Sequence, residues 1–203
     1  MIASADLRIC FVGDSMVAGT GDPQALGWCG RVVAQSATQG FALSAYNLGV
    51  RRDTSTDIAQ RWREECARRL PPDCTPHVVF NFGVNDTTQL DGGPRVSTHD
   101  SIANLRTILN EAQSRYRVAM IGPPPIADAA QNPRIRALCV AFRSACASLS
   151  VPYLAVFDAL HANTIWMQQV AAGDGAHPQA EGYRALAALV LDWPQWWFRR
   201  SLS

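Results

Sequence analysis

Five short aliphatic segments, at residues 7–12, 43–48, 77–82, 118–121 and 153–157, recur along this chain with longer stretches of helical character between them. No other feature constrains the fold as strongly. A strand that rejoins its sheet after a helical crossover runs parallel to its predecessor, and the helices must then cover both faces of the sheet. The expected product is a three-layer α/β/α sandwich around a five-stranded parallel sheet. The helical stretches fall at about 28–39, 55–70, 97–116, 133–149 and 178–191. Ser97 followed by Asp100 reads as a capping box, Asn132 before Pro133 as a helix start, and His177-Pro178 as the opening of the last helix.

With 203 residues, 48% hydrophobic and 17% charged, the chain fits a single domain over 1–203 with one core. The net charge is +1 and the basic residues are scattered, which argues against a nucleic-acid partner. Every basic residue is arginine, so a lysine phosphate loop, a lysine Schiff base and a Ser–Lys dyad each lose a required group. The N-terminus enters a strand within a few residues without the pattern of a secretory signal, and no apolar run reaches about 18 residues. A cytoplasmic location without stable membrane insertion is the expectation. The six cysteines contain no CxxC pair and are expected to be reduced and mostly buried. His77, His99 and His161 have no neighbour at metal-ligand spacing, so neither a metal nor an organic cofactor is expected.

In open parallel sheets ligands bind beyond the carboxyl ends of the strands. The residues there are Gly13-Asp14-Ser15 after the first segment, Gly49 with Arg51-Arg52-Asp53-Thr54 after the second, and Gly83-Val84-Asn85-Asp86 after the third. The fifth leads through a long connection to Gly173-Asp174-Gly175-Ala176-His177-Pro178. A serine hydroxyl becomes a nucleophile when a histidine, oriented by a carboxylate, takes its proton. Ser15, His177 and Asp174 are the candidates. Gly175 permits the tight turn that lets the carboxylate reach Nδ1 while Nε2 faces Ser15. The Ser15 amide, Gly49 and the Asn85 side chain are candidate oxyanion donors.

In these residues the chain resembles the SGNH, or GDSL-type, hydrolases, a superfamily of esterases, lipases and lysophospholipase-like enzymes. FVGDSMVAGTG is similar to its first block, NLGVRRDTSTDI to the second, FGVNDTT to the third and DGAHPQAEGY to the last. The resemblance implies a flavodoxin-like fold and acyl transfer from a small-molecule ester to water without a cofactor. It implies Ser15 as nucleophile, His177 as base, Asp174 as orienting acid, Gly49 and Asn85 as oxyanion donors, and a structural Asp14. Met16 replaces the leucine of the motif, and Arg52 stands where the family often has a second glycine. The alternative class is a flavodoxin-like nucleotide- or phosphate-binding module, which leaves the Asp174/His177 pair unexplained.

Arg52 is a candidate for the substrate rim, where a guanidinium would meet an anionic group; the favoured expectation is instead an internal pair with Asp53 or Asp57. Trp166 and Met167, in the connection 159–172, are candidates for a wall of the acyl pocket, against simple core packing. The aromatic run from Trp193 to Arg200 predicts either docking back on the domain or a self-association surface, a homo-oligomer being one outcome.

Overall fold

The computed structural model describes residues 6–199. Its central sheet has five parallel strands in the order β2-β1-β3-β6-β7: β1 (Leu7–Gly13), β2 (Leu43–Gly49), β3 (Thr75–Asn81), β6 (Arg117–Ile121) and β7 (Tyr153–Leu154). A two-stranded antiparallel ribbon, β4 (Gln89–Leu90) and β5 (Gly93–Pro94), stands apart from it. Counted within the main sheet, the order is the flavodoxin-like 2-1-3-4-5, whose ligand crevice lies at the switch between the first and third strands.

Strand side chains alternate between faces, and the two cores follow that alternation. Ile9, Phe11, Val79, Ala119 and Ile121 pack with α2 (Gly27–Thr38), α7 (Thr164–Ala172) and α8 (Ala180–Asp192). Cys10, Val12, Val78, Phe80, Val118 and Met120 pack with α3 (Ser55–Ala67), α4 (Thr98–Gln113) and α5 (Asn132–Ser148). The result is the three-layer sandwich. All six cysteines are free and buried. No helix of the described residues is long and apolar enough to cross a membrane.

Several boundaries differ from expectation for local reasons. The fifth strand stops at Leu154, because at Phe157 the chain turns into a short helix, α6 (Phe157–His161). The connection after it is therefore not a loop but α6 followed by α7. The last helix begins at Ala180 rather than at Pro178, since Gln169 Oε1 of α7 accepts the N–H groups of Gln179 and Gly182 and fixes its start. At α5 the N-cap is Gln131; Asn132 is already helical and its side chain brackets Ile126 through both backbone groups. Ser97 caps α4 by accepting the Asp100 N–H, as its spacing implies. A reciprocal capping box, Thr54 with Asp57, starts α3, whereas at α4 the Asp100 carboxylate accepts from the Ser97 hydroxyl instead of its backbone N–H.

The aromatic C-terminal run docks back. Trp193, Trp196 and Phe198 are buried in the first core, and Phe198 lies edge-on to Phe41 and His77 at 5.8 and 4.7 Å. His77 is a strand residue whose burial pushes its pKa down. Arg200, the last residue of that run, lies outside the described residues.

Candidate active site

Gly13 ends β1 where a Cβ would stand 2.0 Å from the Asn81 carbonyl oxygen, so only glycine lets β1 and β3 approach there. Asp14 leaves the strand in an extended conformation, and its Oδ1 accepts the Met16 N–H at 2.9 Å. That cap begins a one-turn helix, α1 (Ser15–Ala18), with Ser15 as its first residue. First-turn N–H groups have no acceptor within their helix, and Ser15 is the first residue of this one. The end of β2 closes against this turn: Asn47 Nδ2 donates to the Val17 carbonyl at 2.6 Å.

The histidine arrives on the segment 173–178 between α7 and α8. Gly175 takes φ +84, its N–H donates to the Val170 carbonyl, and its own carbonyl accepts the Ala127 N–H. This turn brings Asp174 Oδ2 to 2.7 Å from His177 Nδ1, and His177 Nε2 to 2.7 Å from Ser15 Oγ. Partial burial would raise the Asp174 pKa, but hydrogen bonds from the His177 ring and from the His177 and Ala176 N–H groups outweigh it and hold the carboxyl at about 2. An ionised Asp174 keeps the proton on Nδ1 and leaves Nε2 to accept the serine proton. Ser15 and the His177 ring are largely shielded, while the Asp174 side chain is 52% exposed. The serine, histidine and aspartate singled out in the sequence therefore stand in one hydrogen-bonded chain.

Asn85 opens a 3-10 turn after β3 and is half-buried. Its Nδ2 donates to the Asp53 carbonyl at 2.9 Å and lies 3.4 Å from Asp14 Oδ2, so one N–H is firmly held and the other weakly. Burial, only partly opposed by the Met16 N–H and reinforced by Asp86 and Asp53, pushes the Asp14 carboxyl up to about 7. Asp86 is likewise pushed up by burial, and it accepts the first N–H of α3, from Ser55, at 2.7 Å. Gly49 lies beside Gly13 in the sheet, but its N–H donates to Asn47 Oδ1 at 3.0 Å, so its amide is already engaged. A Cβ there would meet Ala18 N at 2.1 Å, so Gly49 is needed for close packing in any case.

Asp14, Ser15, Met16, Arg51, Arg52, Val84, Asn85, Ala176 and His177 enclose a pocket of about 80 Å³. The expected internal pairing of the arginines is not found. Asp53 bonds Arg61 at 2.6 Å, and Asp57 accepts the Thr54 N–H and hydroxyl. Arg52 thus borders the pocket as a rim residue, and Arg51 does too. Trp166 does not reach it: its indole is fully buried, donates to the Pro125 carbonyl at 3.0 Å and lies edge-on to Tyr183. This corrects its reading as a pocket wall, because its N–H finds a partner only inside the core. Met167 lines a different, open pocket of about 630 Å³ with Ala127, Val140, Phe157 and His161.

Two contributors went unnoticed in the sequence. Asn47 ties α1 to Gly49, and the Asp53 carbonyl holds Asn85. A polar Asn two residues before a strand-end glycine is a signal for the first; nothing local marks a backbone carbonyl.

Among solved structures, a lipase/acylhydrolase from Enterococcus faecalis is similar to this chain, with 27% identity and a TM-score of 0.74 over 91% of this chain and 93% of that one. An acetylxylan esterase from Geobacillus stearothermophilus shares the fold at 19% identity, with a TM-score of 0.77 over 99% of this chain and all of the other. No curated protein matches the sequence significantly. The model of the GDSL-like lipase/acylhydrolase family matches residues 11–185, which contain the whole serine–histidine–aspartate chain. The protein is a member of that family, within the SGNH hydrolases.

Proposed function

We propose that this protein is a serine hydrolase that cleaves carboxylic esters of small acyl groups through an acyl-enzyme on Ser15. The observation that carries the reading is the continuous Asp174–His177–Ser15 hydrogen-bond chain, with 2.7 Å at both links. Ser15 Oγ attacks the ester carbonyl carbon while its proton passes to His177 Nε2, and His177 returns that proton to the leaving alkoxide as the C–O bond breaks. Water then attacks the acyl-enzyme, giving a proton to His177. Collapse of this intermediate releases the acid and restores the Ser15 hydroxyl.

The Ser15 amide and the weakly held Asn85 N–H are the donors for the developing oxyanion. Gly49 joins them only by giving up its bond to Asn47. The pocket at Ser15, about 80 Å³, is small beside the groove of about 630 Å³ that Met167 lines, which supports a short acyl group as the substrate. Acetyl is the acyl group this room suits best. A nucleotide- or phosphate-binding module has no use for the Asp174–His177–Ser15 chain.

The test is burst kinetics with p-nitrophenyl acetate and butyrate, followed by intact-mass analysis. Acetate should be preferred, an acyl adduct should map to Ser15, and Ser15→Ala should lose at least about 10³-fold in kcat. Undiminished turnover in Ser15→Ala would overturn the assignment.

A further inference from the structure

Among the described residues, two arginine side chains on the rim of the Ser15 pocket lack a carboxylate partner although carboxylates follow them closely in sequence. Arg51 and Arg52 are exposed, and both line the pocket with Ser15, Asn85 and His177. Asp53 is held by Arg61 from α3, and Asp57 serves the Thr54 capping box. The backbone at this place is also costly. The Asp53 N–H closes a turn on the Val50 carbonyl, and Arg52, the third residue of that turn, adopts φ +71. Type II turns reserve such a position for glycine, because a Cβ there crowds the backbone. A long charged side chain thus occupies a strained position at the mouth of the site. Arg95 donates to the Arg52 carbonyl at 2.9 Å and brings a third guanidinium to the same turn. The acidic groups facing the pocket do little to cancel this charge: Asp14 is buried with its pKa pushed up to about 7, and Asp174 is bonded to His177.

We propose that Arg51 and Arg52 form an anion-recognising rim, so that the preferred substrates are short-chain esters whose alcohol portion carries a carboxylate or a phosphate. This rests on the ester-hydrolase reading of the same site. The anion is assigned to the alcohol portion because both arginines are exposed at the mouth of the pocket, on the side from which the leaving group departs to solvent. Arginine suits the role, since its planar fork offers paired N–H donors to an oxyanion and retains its charge at every working pH. Because the side chains are exposed, the attraction is screened by salt.

The experiment compares kcat/KM for 4-acetoxybenzoate and 4-acetoxyphenyl phosphate with that for neutral 4-acetoxybenzamide, in the wild type and in Arg51→Gln/Arg52→Gly. Glycine at position 52 matches the turn, so the variant should fold with an undiminished Tm. At least one anionic ester should be favoured about tenfold in the wild type, chiefly through KM, with the ratio falling toward one in the variant and in 0.5 M NaCl. Whichever anion gives the larger ratio identifies the headgroup. In parallel, calorimetric titration with 4-hydroxybenzoate and phenyl phosphate, using 4-hydroxybenzamide as control, measures anion binding without turnover. Arginine-dependent binding together with an absence of hydrolysis would sink the hydrolase reading and keep the rim. Hydrolysis with equal ratios in wild type and variant, or anion binding that survives loss of both arginines, overturns the rim and leaves the hydrolase.

Discussion

Replacing Asp14 by Asn should make this protein more stable at neutral and alkaline pH and leave it nearly unchanged below about pH 4. The Asp14 carboxyl is buried beside Ser15, where burial pushes its pKa up to about 7 against 3.8 for the ordinary side chain. Between those values the folded chain keeps a proton that the unfolded chain releases. Stability therefore declines as pH rises from about 4 to about 7 and levels off above. The gap of roughly three pH units corresponds to about 4 kcal/mol. Asn keeps a carbonyl oxygen that can accept the Met16 N–H, so the α1 cap survives while the buried charge is removed. Urea unfolding of both proteins at half-unit steps from about pH 3.5 to about pH 9 measures the difference. Wild type should lose stability relative to Asp14→Asn by several kcal/mol across that range. A difference independent of pH would refute the argument, since it would mean that Asp14 carries the same charge in the folded and unfolded chains.

Gly21→Ala should impair catalysis from outside the site. Gly21 sits at φ +85, and a Cβ there would approach the Pro178 carbonyl oxygen to 3.0 Å and His177 Cβ to 3.2 Å. With His177 as the proposed base, displacing it by a fraction of an ångström should lower kcat about tenfold or more with little change in KM, and steady-state kinetics on p-nitrophenyl acetate would detect it. Trp166→Phe should cost about 2 kcal/mol in urea unfolding, through a smaller ring and an orphaned Pro125 carbonyl, while KM stays as in wild type. A large rise in KM would instead return Trp166 to the substrate site.

What could be read in the sequence and what could not divides along the range of the interactions concerned. The sandwich and its parallel sheet follow from the alternation of segments, a local pattern that leaves few topologies. Asp174 and His177 were legible because their contact is made within one turn, three residues apart. Ser15 was legible because a strand end is where an open parallel sheet presents its ligands. Loop 19–27 pressing Gly21 onto the histidine is another matter, since no short-range pattern encodes it.

The fate of the arginines was decided in space. Asp53 lies next to Arg52 in sequence, yet α3 returns Arg61 to it at 2.6 Å, and the nearer arginines are left on the pocket rim. Trp166 could have served a pocket wall or a core, and the position of the Pro125 carbonyl inside the fold made it core. The Gly49 amide likewise depends on where Asn47 points. The sequence by itself thus determined the layer architecture and singled out Ser15, Asp174 and His177, because hydrophobic periodicity, strand ends and short loop spacings are local quantities. Only the tertiary structure decided which charges pair and which donors remain free, because each of those outcomes is a competition among all the groups the fold brings within reach, near or far in sequence.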